Sequence, residues 1–119
     1  DELDEKLSAL IDEKIVIVRT GFENKLGTSE YFDNIPKFDK KIGRILKKHG
    51  VRTIGFDFPS AETINGSRSM HKSILSREIV MIEGLVNLNE IPCERFVFSG
   101  FPIKLKGSDG SPIRAVAII

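Results

Sequence analysis

Leu3, Leu7, Leu10 and Ile11 fall at i, i+4, i+7 and i+8, and predict an opening helix whose early acids, from Asp1 to Glu5, suit the positive end of its dipole. The uninterrupted β-branched run Ile15-Val16-Ile17-Val18 predicts an interior strand screened on both faces, ended by Arg19-Thr20-Gly21. From Phe22 to Pro36 polar residues, one glycine and a proline predict a long irregular segment, anchored to the body by Tyr31 and Phe32. Phe38, Ile42, Ile45 and Leu46 repeat the helical stripe, with lysines and Arg44 on the opposite side and Gly50 placed to stop the helix. Val51 to Phe56 follows as a strand. Strand, helix, strand with a right-handed crossover makes the two strands parallel.

Asp57-Phe58-Pro59-Ser60 lies at the end of that second strand. Asn65-Gly66 marks a turn, Ser67 is placed to cap a short helix running through Ser76, and Val80-Met81-Ile82 begins another strand. After a polar connection or short helix from Asn87 to Pro92, three more strands are expected: Arg95 to Phe98, Ile103 to Leu105 and Ile113 to Ile118. The last two would form a hairpin across Gly107 to Pro112. The class is mixed α/β, and the absence of repeats or low-complexity tracts predicts one domain over residues 1–119.

Composition narrows the partners. With 18 basic and 17 acidic residues the net charge is +1, so nothing general draws the chain to nucleic acid or an acidic membrane. Lys40, Lys41, Arg44, Lys47 and Lys48 cluster on one helix, but no aromatics interleave with them, and they read as a solvated face. No stretch approaches the roughly 18 apolar residues of a membrane-spanning helix, and the acidic start lacks the positive region of a secretory signal. A cytoplasmic setting is the expectation. Cys93, the only cysteine, can form no internal disulfide and has no activating neighbour in sequence. For the same want of an export signal, Asn65-Gly66-Ser67 reads as a turn and not as a glycosylation site.

Two residues carry most of the chemical interest. His71 lies three and four positions before Ile74 and Leu75, beside an apolar helix face, where it is a satisfied core-edge histidine or a ligand. If Met81, Glu83 and Leu85 alternate with Val80 and Ile82, the carboxylate of Glu83 lies among apolar side chains. There it must be protonated, paired with a cation or metal-bound, unless a strand-end turn releases it to solvent. Together an imidazole and a carboxylate can hold a divalent ion, but a catalytic zinc centre needs about three protein ligands, so further donors must come from Asp57, Asp109, another chain or sequence outside this one. HxxxH and HExxH pairings are absent. His49, in the last helical turn before Gly50, is explained by a helix-terminal interaction. Asp57 and Ser60 are either substrate contacts or a capped turn, and Arg19 either clamps a carboxylate or forms a strand-end ion pair. Lys106 to Pro112 has the composition of a phosphate loop without its Gly-Lys-Ser/Thr ending, which favours a hairpin.

Ile17-Val18-Arg19-Thr20-Gly21, Gly55-Phe56-Asp57-Phe58-Pro59-Ser60, His71-Lys72-Ser73-Ile74-Leu75, Ile82-Glu83-Gly84-Leu85-Val86-Asn87-Leu88 and Leu105 to Ala115 occur in an order that resembles the kynurenine formamidase and cyclase family of metal-dependent hydrolases. The resemblance implies a swivelling β/β/α-type cyclase-like fold, incomplete in this chain alone. It implies a metal-binding role for His71, a carboxylate shared between metals at Glu83, and a pocket-side turn carrying Asp57 and Ser60. It also implies hydrolysis of an amide, lactam or ester in a small molecule, N-formylkynurenine being the best-known substrate, with zinc as the leading ion and manganese compatible. The family's earlier HxGTHxDxPxH motif, which supplies most metal ligands and a catalytic histidine, is missing here. The chain is therefore expected to be the C-terminal part of such a hydrolase, completed by an N-terminal segment, a partner chain or a homo-oligomer. The alternative is a non-catalytic α/β subunit with a small-molecule-binding or structural role.

Overall fold

The computed structural model describes residues 2–9, 12–63 and 66–119, and Leu3 by its backbone alone. Leu10 and Ile11 of the opening stripe and Asn65 of the expected turn lie outside the described residues. Two compact units emerge, residues 1–88 and 89–119. Among the described residues no helix is long and apolar enough to cross a membrane.

In the first unit, β1 (Ile15–Val18), β2 (Thr53–Phe56) and β3 (Val80–Ile82) form a parallel sheet in the order β1-β2-β3, with Ile17 opposite Gly55 and Gly55 opposite Ile82. The expected parallel pairing of the first two strands is present. Among the described residues the interior position is taken by β2 and not, as the β-branched run suggested, by β1, which pairs there with β2 alone and leaves Ile15 39% exposed. An apolar run reports that faces are covered, not how many neighbours a strand has. In β2 the side chains of Ile54 and Phe56 are fully buried. Gly55 between them is required by close approach, since a Cβ there would lie 2.7 Å from Ile17 Cδ1 and 2.8 Å from Leu85 Cδ1.

Helices α1 (Glu2–Ser8), α2 (Ile42–Lys48) and α3 (Ser69–Leu75) accompany the sheet. Leu7, Ile42, Ile45, Leu46 and Ile74 are buried, so the apolar stripes face the core as their spacing predicts. Gly50 ends the α2 segment at φ 71°, the left-handed conformation expected of it. Helices α2 and α3 meet almost backbone to backbone: a Cβ on Gly43 would come within 2.0 Å of the Ser73 carbonyl oxygen. That contact fixes the helix bearing His71.

The segment after β1 contains two short 3₁₀ turns, Phe22–Lys25 and Ser29–Phe32. Tyr31 anchors it as expected, but Phe32 is 56% exposed, and the second anchor is Phe22. Phe22 packs edge-on to Phe58, which stacks on Phe56 at 4.3 Å between centroids. Phe56 and Phe58, two positions apart, thus carry the aromatic core from β2 into the loop beyond it.

One local expectation fails, and one open alternative is decided, for instructive reasons. Helix α3 begins at Ser69 and not after Ser67, because Arg68 takes a left-handed conformation and its own side chain provides no cap. Glu62 supplies the acceptor, with Oε1 receiving the Met70 N–H at 2.9 Å and the Ser69 hydroxyl at 3.3 Å. Strand β3 stops at Ile82, so Glu83 does not continue its alternation. The chain turns at Gly84, whose N–H donates to Phe58 O, and the Leu85 N–H donates to Phe56 O.

The second unit is a hairpin of β4 (Val97–Pro102) and β5 (Ile113–Ile118), paired antiparallel from Val97 opposite Ile118 to Pro102 opposite Ile113. A hairpin ending in residues 113–118 was expected. Its partner strand, however, is Val97–Pro102 and not Ile103 to Leu105, while Arg95 and Phe96 lie outside it. Ser99-Gly100 interrupts the apolar run and hides the strand, yet Gly100 opposite Ala115 is well accommodated in the ladder.

Candidate metal centre

The residues of interest follow the carboxyl ends of β2 and β3, the side of a parallel sheet where ligands most often bind. Asp57 comes directly after β2, then Ser60 and Glu62 in the loop leading to α3. His71 is in the first turn of α3, and Glu83 is the residue after β3.

The structure brings His71 and Glu83 together. His71 Nε2 is 3.3 Å from Glu83 Oε1, and the two side chains are 30% and 36% exposed. Each belongs to an element fixed by packing: α3 by Gly43 and the buried Ile74, the segment after β3 by the Gly84 and Leu85 hydrogen bonds. The Ala61 N–H also donates to Glu83 Oε1 at 3.4 Å.

A third group joins them that sequence reasoning missed. Glu62 Oε2 is 2.8 Å from His71 Nδ1, so the imidazole lies between two carboxylates. Burial works against ionisation of Glu62, but hydrogen bonds from His71 and from the Met70 N–H outweigh it and hold the carboxyl below its usual range. The available signal was positional, an acid shortly before a helix start, where free N–H groups seek an acceptor.

Asp57 is differently engaged. It is fully buried, and Thr20 N–H reaches both its oxygens at 3.1 and 3.0 Å, Thr20 Oγ1–H donates at 2.7 Å and Gly21 N–H at 2.7 Å. This carboxylate ties the segment after β1 to the end of β2. Burial and the nearby Asp57 charge both push the Tyr31 phenol up. Ser60 Oγ accepts the Glu62 N–H at 3.3 Å. Among the described residues no hydrogen bond or ion pair joins Asp57 or Ser60 to His71 or Glu83. Arg19 is exposed just after β1, and Cys93 is exposed. His49, at the end of α2, has Nε2 2.5 Å from Asp4 Oδ1, a contact to α1 where its position suggested one to its own helix terminus.

A ring nitrogen and a carboxylate oxygen converging from two rigid elements are a donor pair suited to a divalent ion. Two donors fall short of a complete site, and among the described residues no group of three or more His, Cys, Asp or Glu side chains is arranged to hold a metal.

Comparison with known proteins places the chain in a family. The family model described as "Putative cyclase" matches residues 2–63, just over half of the chain. An uncharacterized protein of Methanocaldococcus jannaschii is 38% identical over 106 residues, covering 88% of this chain and 54% of that protein. The kynurenine formamidase of Geobacillus thermodenitrificans is 34% identical over 84 residues, covering 70% of this chain and 40% of the relative. The chain thus spans about half the length of the curated relatives it matches. A solved structure described as a potential metal-dependent hydrolase with cyclase activity shares the fold at a TM-score of 0.75 and 24% identity, covering 92% of this chain and 54% of the other. Family model, relatives and fold agree, and the chain belongs to the cyclase family of kynurenine-formamidase-like metal-dependent hydrolases.

Proposed function

We propose that this chain takes part in the metal-dependent hydrolysis of an amide, lactam or ester bond in a small molecule, in the manner of the kynurenine formamidases it resembles. The observation that carries the proposal is the convergence of His71 Nε2 and Glu83 Oε1 at the carboxyl ends of parallel strands. His71 and Glu83 would hold the ion, zinc first and manganese second, with the remaining donors supplied by further sequence, a second copy or a partner chain. Such an ion supplies Lewis acidity, which acidifies water and polarises a carbonyl.

The chain's own contributions follow from its contacts. His71 presents its ring from a helix that Gly43 locks against α2, and Glu83 holds its carboxylate at the sheet end. Ser60 accepts from the Glu62 N–H, and its hydroxyl hydrogen serves to orient a substrate carbonyl. Asp57 acts on the substrate side by holding Thr20-Gly21 in place beside the sheet end. The general acid/base group lies outside this chain.

The test is metal analysis of the chain, with any copy or partner chain that purifies with it, after expression in zinc and manganese. Stoichiometric metal that is lost in both His71→Ala and Glu83→Gln is the expected result, accompanied by cleavage of N-formylkynurenine or a related amide. A second reading has its own observation: both ring nitrogens of His71 already face carboxylates, an arrangement that ion pairing alone explains. In that reading the chain is a binding or structural subunit, and the purified assembly contains no metal.

A further inference from the structure

Glu62 is the least expected member of the cluster, and its two oxygens are divided between two tasks. Oε1 accepts from the Met70 N–H at 2.9 Å and from the Ser69 hydroxyl at 3.3 Å. Oε2 faces His71 Nδ1 at 2.8 Å, and the side chain is 10% exposed. An ionised carboxylate only accepts, so Nδ1 donates in this contact. Across the ring Nε2 faces Glu83 at the longer distance of 3.3 Å, on the more exposed side. A neutral imidazole has one N–H to give, and the shorter, drier contact keeps it. The lone pair then remains on Nε2.

We infer that Glu62 is a positioning residue: it holds the Nδ1–H of His71, anchors the helix that bears the ring, and thereby turns an unprotonated Nε2 toward the space shared with Glu83. The use of that lone pair rests on the metal-dependent reading above, but the tautomer itself does not. Acceptors that hold the second nitrogen of a ligating histidine fix its orientation, and their loss commonly costs about 10- to 100-fold in metal affinity.

Glu62→Gln separates this role from simple capping of α3. If the amide oxygen keeps the Met70 N–H, the amide NH₂ faces Nδ1 and can only donate to it. The ring proton must then move to Nε2, where it points at Glu83 and blocks coordination. The opposite amide orientation sets NH₂ against the Met70 N–H, donor against donor. Glu62→Asp keeps an acceptor and should keep the original tautomer. A role confined to capping would leave the ring proton where it is in all three proteins.

The experiment is two-bond proton–nitrogen correlation of the ¹⁵N-histidine-labelled 119-residue chain, at a pH where the ring is neutral, with His71 assigned by signal loss in His71→Ala. Amide chemical-shift dispersion confirms that each variant is folded. The expected result is Nδ1–H in the wild type and Glu62→Asp, and Nε2–H in Glu62→Gln. Zinc added to the same samples should perturb Nε2 in the wild type, with an affinity at least about 10-fold weaker in Glu62→Gln. Nε2–H in the wild type, or an Nδ1–H that persists in Glu62→Gln, overturns the inference. If the tautomers follow the expected pattern while zinc perturbs neither protein even when the copy or chain that supplies the remaining donors is present, Glu62 keeps its assignment and the metal-dependent reading falls.

Discussion

Asp57 and Glu83 occupy equivalent places, each the first residue after a strand in a parallel sheet, yet their carboxylates live differently. Asp57 is fully buried with both oxygens taken by Thr20 and Gly21, whereas Glu83 is 36% exposed and meets one imidazole nitrogen and one long N–H contact. The difference lies in what the neighbouring strand delivers. The segment after β1 brings two N–H groups and a hydroxyl to Asp57, a closed set that consumes the carboxylate's acceptor capacity. Helix α3 and the loop before it bring Glu83 one ring nitrogen and one long N–H contact and leave lone pairs to spare. A saturated carboxylate holds a fold together, and an unsaturated one is available to a ligand.

Substitution at Asp57 should break this comparison most visibly. Asp57→Ala strands the Thr20 and Gly21 donors inside the protein, and urea denaturation should show a loss of about 3 kcal/mol. A loss below 1 kcal/mol would mean that these bonds do not hold the sheet end. Gly43→Ala should follow at about 2 kcal/mol, because the new methyl group meets the Ser73 carbonyl and pushes α3 from α2. The same change should weaken metal uptake, since it displaces His71, a coupling that Asp57→Ala lacks at first order. Glu83→Gln should cost less than about 1 kcal/mol in stability, a partly exposed pair being worth little, while abolishing metal retention in the assembly. Equal destabilisation by Asp57→Ala and Glu83→Gln would erase the distinction drawn between them.

The smallest effect is expected at Asp4, which ties α1 to the end of α2. Hydrogen bonds from His49 and then Lys48 hold its carboxyl below the ordinary value of 3.8. A lowered value means that the contact contributes fully above the ordinary one and is lost as acid brings the pH down through the lowered one. The stability difference between the wild type and Asp4→Asn should therefore shrink as the pH falls below the ordinary carboxylate value and vanish in stronger acid. A difference that persists undiminished in strong acid would contradict the pairing.

Much of the architecture is written in periodicity. The stripe of Ile42, Ile45 and Leu46 and the β-branched run of β1 mark a helix and a strand whose relation through a crossover is chirally constrained. Strand order within the sheet is not encoded in that way, and among the described residues β1 proved an edge. At the site, the approach of His71 to Glu83 is implied by the resemblance of their motifs to the family and not by local pattern, which leaves each residue an ordinary structural role. Glu62 could not be singled out, since in sequence one loop acid has the same local pattern as any other. Its role arises only when α3 starts at Ser69 and turns unpaired N–H groups toward the loop. Likewise the choice between ligand contact and turn at Asp57 depends on Thr20 and Gly21, 37 and 36 positions away in sequence.

The central claim is that His71 and Glu83 share one divalent ion. Anomalous diffraction at the zinc edge, from crystals of the chain together with whatever chain completes it, tests that claim directly. A strong peak within coordination distance of both His71 Nε2 and a Glu83 carboxylate oxygen is the predicted result. Direct pairing of the two side chains with no anomalous density beside them, or a peak bound elsewhere in the assembly, would contradict it.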